Sequence, residues 1–195
     1  MWRVLALSSV LLLGIAGQAA AEWHITPMVG LTMLGSTTIV DPERGTEKRH
    51  WNLGGAVSLL SPTFFGVEVI TIWTPGHFER DDLDIVDNSR TISLMANAVL
   101  TTPRRWTEYS LRPFVSGGLG LMHITKHDEG LFPVDLNVAG YNIGGGAVGF
   151  LSQRTGLRFD FRYHSVLNPS DHGPIAFEDV HLRYITATIG IVFRR

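Results

Sequence analysis

The chain has 195 residues, with 18 acidic residues against 16 lysines and arginines, 21 glycines and no cysteine. This slightly acidic balance argues against nucleic acid as a partner, because phosphate binding needs a clustered basic surface. Disulfides are excluded as a source of stability, so an exported chain of this composition must be held together in another way, and a closed hydrogen-bonded barrel would suffice.

The amino-terminal segment has the pattern of a secretory signal peptide. One basic residue, Arg3, precedes the apolar run Val4–Ile15, and small residues follow up to Ala21. The run is shorter than the roughly 20 apolar residues that a membrane helix needs. We therefore predict that residues 1–21 are cleaved and that residues 22–195 form one barrel domain. An uncleaved amino-terminal anchor is the alternative.

Eight β-strands are predicted after the cleavage site, each with apolar residues alternating with polar or small ones. The predicted strands are Trp23–Leu34, His50–Leu60, Phe64–Trp73, Ser89–Thr101, Leu111–Ile124, Val138–Leu151, Leu157–His164 and Val180–Phe193. Long polar connections follow the odd-numbered strands, and shorter ones follow strands two, four and six. An even number of two-faced strands, near the 9 to 11 residues or so that cross a bilayer, with this alternation of connections, is typical of outer-membrane barrels.

Strand seven has the clearest pair of unlike faces. Its large apolar residues alternate without a break with charged or polar ones, as Leu157, Phe159, Phe161 and Tyr163 against Arg158, Asp160, Arg162 and His164. In a soluble barrel the aromatic face would be the core, whereas in a membrane barrel it would contact lipid. The pattern of connections favours an all-β fold, an eight-stranded antiparallel up-and-down transmembrane β-barrel, over a lipocalin-type soluble barrel or a sandwich.

Charged residues within the predicted strands are expected to point into the barrel. An arginine that faces lipid at the bilayer midplane costs about 2 to 4 kcal/mol. An eight-stranded barrel is only wide enough for its own side chains, so we predict that acids and arginines pair across the interior and plug it. The predicted interior network comprises Glu68, Arg112, Arg158, Asp160, Arg162 and Arg183.

Three consecutive segments, residues 111–121, 142–150 and 156–163, resemble the strand signatures of small outer-membrane β-barrel proteins related to the OmpA transmembrane domain. The segment Phe65–Val69 is similar to an earlier strand of the same group. The resemblance covers most of the mature chain. It implies a Gram-negative outer-membrane protein, surrounded by outer-membrane lipids and lipopolysaccharide and assembled by the barrel assembly machinery.

The carboxyl-terminal strand shares part of this resemblance. Residues 188–193 are similar to the terminal-strand signal that the assembly machinery reads, which usually ends on an aromatic residue. Here Arg194 and Arg195 follow Phe193. This departure puts the efficiency of recognition by that machinery in question.

A second resemblance concerns catalysis. Barrel-embedded lipid A deacylases place a catalytic histidine and serine near the end of their penultimate strand, which implies His164 as base, Ser165 as nucleophile and Glu178 as orienting acid. In those enzymes one residue separates the pair, whereas His164 and Ser165 are adjacent and point to opposite faces of a regular strand. We therefore predict no enzymatic activity, and keep a deacylase-like hydrolase as an alternative. A narrow OmpW-like conduit for small apolar molecules is a third possibility.

Two groups of residues in the predicted loops could offer ligands to a divalent ion, namely Asp81, Asp82 and Asp84, and His127, Asp128 and Glu129. Neither group has the spacing of a known metal-binding loop. Solvated loops are the better interpretation, and we predict no metal and no other cofactor.

The topology predicts on which side of the membrane the loops lie. With a periplasmic amino terminus, strand one leads outward, so the loops around Glu43, Asp82, Glu129 and Asp171 should be extracellular. The expected function is that of a monomeric outer-membrane barrel with a structural, adhesive or surface-interaction role.

Overall fold

The computed structural model describes residues 21–37, 49–75, 89–103, 106, 111–126, 134–167 and 182–195. Its strands are β1 Glu22–Thr37, β2 His50–Leu60, β3 Phe65–Pro75, β4 Ser89–Thr101, β5 Leu111–Lys126, β6 Val134–Phe150, β7 Thr155–Val166 and β8 Leu182–Arg194. Each strand pairs antiparallel with the next, and β8 pairs with β1. The prediction of a closed eight-stranded antiparallel barrel is confirmed.

Strand boundaries differ from the predicted ones mainly toward the long connections. β6 begins at Val134 instead of Val138, because residues 134–137 continue the ladder with β5 as far as Lys126. Val134, Leu136 and Val138 alternate with Asp135 and Asn137, so the strand pattern extends into residues that were predicted to belong to the third long loop. The predicted signal peptide, apart from Ala21, and the first residues of predicted strand eight lie outside the described residues.

The outward face of the barrel is apolar and carries aromatic residues near both ends. We call the end joined by the long connections the long-loop end, and the other the short-turn end. Trp51 and Trp73 pack edge to face near the long-loop end, with their ring centroids 5.7 Å apart. Trp23 and Phe65 are exposed near the short-turn end. An apolar band between two aromatic rows is the outer surface expected of a membrane barrel.

The interior contains two apolar clusters. The loop-side cluster consists of Met28, Ala56, Ile70, Ile72, Met95, Met122, Ile124, Leu182 and Tyr184. The turn-side cluster consists of Leu60, Val99, Phe114, Val148 and Val192. The interior is therefore less polar than the alternation in strand seven indicated, and four of its charged residues, Glu68, Arg158, Asp160 and Arg162, lie between the two apolar clusters. Among the described residues, no helix is long and apolar enough to cross a membrane.

Candidate functional site

The most distinctive group in the interior is a ring of four buried charged side chains, which we call the charged layer (Glu68, Arg158, Asp160 and Arg162). β7 supplies three of them from successive inward positions, because residues two apart on a strand share a face. β3 supplies Glu68 from the opposite wall. All four side chains are at most 5% exposed. The four residues therefore meet across the barrel.

Each arginine of the charged layer contacts both carboxylates. Arg158 donates from Nη1 to Glu68 Oε2 and from Nη2 to Asp160 Oδ2, each at 2.5 Å. Arg162 donates from Nη2 to Glu68 Oε1 at 2.6 Å and from Nε to Asp160 Oδ1 at 2.7 Å. Two positive and two negative charges thus form a closed, neutral ring of charge-assisted hydrogen bonds, the strongest kind in proteins.

Neutral polar side chains extend this ring along the wall of the barrel. Ser58 Oγ donates to Glu68 Oε2 at 2.9 Å, and Asn97 Nδ2 lies 3.5 Å from Glu68 Oε1. Asn142 Nδ2 donates to Asn97 Oδ1 at 2.8 Å, and its own Oδ1 lies 3.4 Å from Arg162 Nη1. The carboxylates are thereby saturated with donors, which a buried charge requires if it is not to be strongly destabilising.

The glycine run of β6 makes room for the layer. A Cβ atom at Gly144 would lie only 2.6 Å from Cγ of Arg162, and one at Gly146 would lie 2.9 Å from Cζ of Phe114. Arg158 in turn lies over the Phe114 ring, with its Cζ 4.4 Å from the ring centroid. The turn-side cluster thus supports the charged layer through a cation–π contact.

Arg112 lies inside the barrel as predicted, but apart from the ring. Its Nε donates to the carbonyl oxygen of Thr102 at 2.9 Å, and its Nη2 to that of Ser61 at 3.2 Å. Both acceptors belong to connections at the short-turn end. Arg112 therefore ties two turns together below the charged layer.

Arg183 does not lie in the interior, contrary to the prediction. It is exposed, whereas its neighbours Leu182 and Tyr184 are buried. The alternation of β8 puts Arg183 on the same outward face as Ile185. The energetic argument for an inward position holds at the bilayer midplane, but the cost of an outward arginine falls to about 0 to 1 kcal/mol near the membrane interface. Arg183 lies at the long-loop end of its strand, so that argument does not apply to it.

The predicted catalytic alternative is not assembled in the structure. The His164 ring stacks on Tyr184 at 4.7 Å and 8°, and its Nε2 lies 3.3 Å from Thr186 Oγ1. Ser165 Oγ instead lies 3.4 Å from the carbonyl oxygen of Val166. His164 and Ser165 occupy successive strand positions and share no hydrogen bond. Glu178 lies outside the described residues.

A cluster at the short-turn end was missed by sequence reasoning. Glu22 Oε2 lies 3.4 Å from His24 Nε2 and 3.7 Å from Arg194 Nη1, and the Arg194 guanidinium lies over the Phe150 ring at 5.0 Å. Glu22 and His24 occupy alternate positions of strand one, a signal that could have placed both inside. Backbone hydrogen bonds between Trp23 and Arg195 continue the β1–β8 pairing beyond Phe193.

A small cavity borders the charged layer on its short-turn side. His24, Arg112, Glu68 and Arg158 are among the residues that line it. Its volume is about 10 Å³, about what a single water molecule requires. This space suits a bound water and is too small for a substrate.

Metal ligands are not gathered in the described strands. Within the described ranges, no group of three or more histidine, cysteine, aspartate or glutamate side chains could hold a metal ion. The loop residues weighed as ligands, Asp81, Asp82 and Asp84, and His127, Asp128 and Glu129, lie outside those ranges. That these loop residues bind no metal stays a prediction from the sequence.

Comparison with known proteins finds similarity in structure alone. No protein-family model and no curated protein matches the sequence. Neisserial surface protein A superposes with a TM-score of 0.61 at 10% identity, over 87% of this chain and 96% of that protein. OprG from Pseudomonas aeruginosa gives 0.61 at 13% identity, over 92% and 98% of the two chains. Ail from Yersinia pestis, solved with the heparin analogue sucrose octasulfate, gives 0.57 at 13%, over 90% and 99%.

This chain has the fold of a small outer-membrane β-barrel. The similar structures cover most of the chain and are themselves covered almost completely. The resemblance to OmpA-related proteins is therefore supported at the level of the small outer-membrane barrel. At identities this low, the likeness concerns the fold.

Proposed function

We propose that this protein is a small, monomeric, non-enzymatic integral protein of the bacterial outer membrane, and that the charged layer closes its interior. The observation that carries the proposal is the neutral ring in which Arg158 and Arg162 each contact Glu68 and Asp160. A ring of saturated ion pairs between two apolar clusters leaves none of these four charges free to attract a permeating ion. The barrel then acts as a sealed scaffold that presents its long loops.

The location is supported by three features. The outward face is apolar and bordered by aromatic residues at both ends, as in membrane barrels. The sequence begins with a signal-peptide pattern at residues 1–21. The fold is that of outer-membrane barrels. Such a barrel has a periplasmic amino terminus, extracellular long loops and the barrel assembly machinery as its partner during biogenesis.

A role in surface contact is the function best suited to a sealed barrel. Three of the four connections at one end have 12 or more residues, and loops held by a rigid scaffold are common binding elements. Ail, one of the similar structures, is described as an attachment invasion locus protein and was solved with a heparin analogue. By analogy, the long loops here would contact molecules at the cell surface.

A non-enzymatic role is supported by the surroundings of the two residues considered for catalysis. His164 is 0% exposed and stacked on Tyr184, and Ser165 occupies the next position, on the other face of β7. A hydrolase would need the two side chains within hydrogen-bond reach of each other and of a lipid. If the purified barrel released fatty acid from lipopolysaccharide, and Ser165→Ala abolished the release, the hydrolase would replace this proposal.

Cell fractionation tests the proposal directly. The protein should sediment with outer membranes and migrate on gels at a different apparent size before and after heating. Protease added to intact cells should cut in the long loops, for example near Asp82 and Glu129, and spare the turns at Pro62 and Gln153. Recovery of the mature protein free in the periplasm would contradict the location, and cleavage confined to the short turns would invert the topology.

A further inference from the structure

Three arginines lie on the outward face of the barrel at its long-loop end, and we call them the outer arginines (Arg49, Arg90 and Arg183). All three are exposed. Arg49 directly precedes β2, Arg90 lies near the start of β4, and Arg183 lies near the start of β8. They are thus distributed around the barrel, and each lies near the long-loop end of its strand.

Each outer arginine lies one outward position beyond an aromatic residue. Arg49 stands two residues before Trp51. Arg90 pairs with Pro75, which is two residues beyond Trp73 on β3. Because two residues of a strand span about 7 Å, these arginines lie about that far beyond the aromatic side chains, in the direction of the long loops.

Arg183 repeats this relation on another side of the barrel. Tyr163 of β7 pairs with Ile185 of β8, and Ser165, two residues nearer to the long loop, pairs with Arg183. Arg183 therefore stands one outward position beyond Tyr163. Arg183 was predicted to lie in the interior. It instead occupies the same outward position relative to an aromatic residue as Arg49 and Arg90.

The outer arginines are not neutralised by the described part of the protein. No hydrogen bond or ion pair joins their side chains to another residue in the ranges that the structure describes. The acidic residues whose side chains are described, Glu22, Glu68 and Asp160, are buried inside the barrel. The outer arginines thus present positive charge to whatever surrounds the barrel at this height.

In a membrane, that height corresponds to the lipid headgroups. Aromatic rows of barrels lie at the membrane interfaces, so a position about 7 Å further out is beyond the hydrocarbon. The planar guanidinium group binds phosphate oxygens through two parallel hydrogen bonds, in a geometry that a lysine cannot reproduce. Arginines at headgroup height that have no partner among the described residues are therefore suited to lipid phosphates.

We propose that Arg49, Arg90 and Arg183 bind the phosphate groups of lipid A in the leaflet at the long-loop end. The inference rests on the proposed function, which makes that leaflet the outer one of the outer membrane. The arginines then fix the barrel at one depth and surround its rim with anionic lipid, and the sealed interior takes no part in this contact.

Native mass spectrometry of the detergent-purified full-length barrel with diphosphoryl lipid A tests the proposal. The wild type should retain lipid A, and each Arg→Gln change at position 49, 90 or 183 should weaken retention about fivefold. The matched control replaces Arg154 and Arg195, which are exposed at the short-turn end, and should retain lipid A like the wild type. A triple variant carries all three Arg→Gln changes. Dephosphorylated lipid A should bind the wild type as weakly as phosphorylated lipid A binds this triple variant.

Heat-modifiable migration identifies the folded variants, and the three single variants carry the test if the triple variant does not fold. Equal retention of lipid A by the wild type and the folded arginine variants would overturn the proposal, as would equal retention of phosphorylated and dephosphorylated lipid. It would also be overturned if the arginine variants lost binding of soluble sucrose octasulfate but kept lipid A. If the wild-type protein fails to enter outer membranes, the proposed function is contradicted. If it inserts but retains phosphorylated and dephosphorylated lipid A equally, only this inference is contradicted.

Discussion

Arginines in the interior of this barrel and arginines on its outer surface meet opposite requirements. Arg158 and Arg162 are buried, and each contacts two carboxylates. Arg49, Arg90 and Arg183 are exposed and have no ion pair within the described ranges. A packed interior cannot solvate a charge, whereas the membrane interface supplies water and phosphate. Face and depth therefore decide whether an arginine needs a partner in this fold.

Removal of an interior acid should have the largest effect on stability. Glu68→Ala leaves Arg158 and Arg162 each without one of its two carboxylates, and breaking a buried ion pair costs about 3 to 5 kcal/mol. Urea unfolding of the refolded barrel, followed by the gel shift, measures this change. Asp82→Ala, in a predicted long loop, is the control and should leave the unfolding midpoint unchanged. Equal stability of the two variants would contradict the pairing requirement inside the barrel.

The space occupied by the charged layer can be reduced without removing a charge. Gly144→Ala brings a methyl group to 2.6 Å from Cγ of Arg162 and against the backbone of Phe161, so we expect a loss of about 1 to 3 kcal/mol from overpacking. At Gly149 of the same strand, the nearest atom to an added Cβ is Leu111 Cδ1 at 3.7 Å. Gly149→Ala should therefore change the unfolding free energy by less than about 0.5 kcal/mol.

Loss of an outer arginine should have the smallest effect on stability. Arg183→Gln removes a charge that is already solvated, so the unfolding free energy in detergent should change by no more than about 0.5 kcal/mol. Arg158→Gln, the matched change inside the barrel, should cost several times as much because it leaves carboxylates with fewer donors. If both variants unfolded at the same urea concentration, interior and outer arginines would not differ in their need for a partner, contrary to this account.

The strands and their faces were largely predictable because outward apolar residues alternate with inward residues along every strand of a membrane barrel. In β7 the polar and aromatic faces differ so strongly that Arg158, Asp160 and Arg162 were placed inside correctly. In β4 one face is mostly apolar, whereas the other combines Ser93 and Asn97 with Met95 and Val99. The alternation therefore puts Met95 and Val99 inside, but it does not indicate that they belong to two separate apolar clusters.

The errors and omissions arose where position along the strand or across the barrel mattered. The alternation of β8 puts Arg183 beside Ile185 on the outward face, and the midplane cost that favours an inward arginine does not apply at the end of the strand. The contact between Glu68 and Arg162 joins residues 94 positions apart in the sequence. It depends on the tilt and register of the whole barrel, which no local pattern encodes. The paired network was expected, but its closed four-membered form was not.

The conductance of the barrel in planar lipid bilayers tests the central claim most directly. With the charged layer intact between two apolar clusters, the wild-type protein should insert and show no large, steady, porin-like current. Heat-modifiable migration verifies that the preparation is folded, and flotation of the same protein with liposomes verifies that it inserts, so a silent recording after fusion of those liposomes reports a closed barrel. A stable open channel from the correctly folded wild type would contradict the sealed interior and make transport the better account of the function.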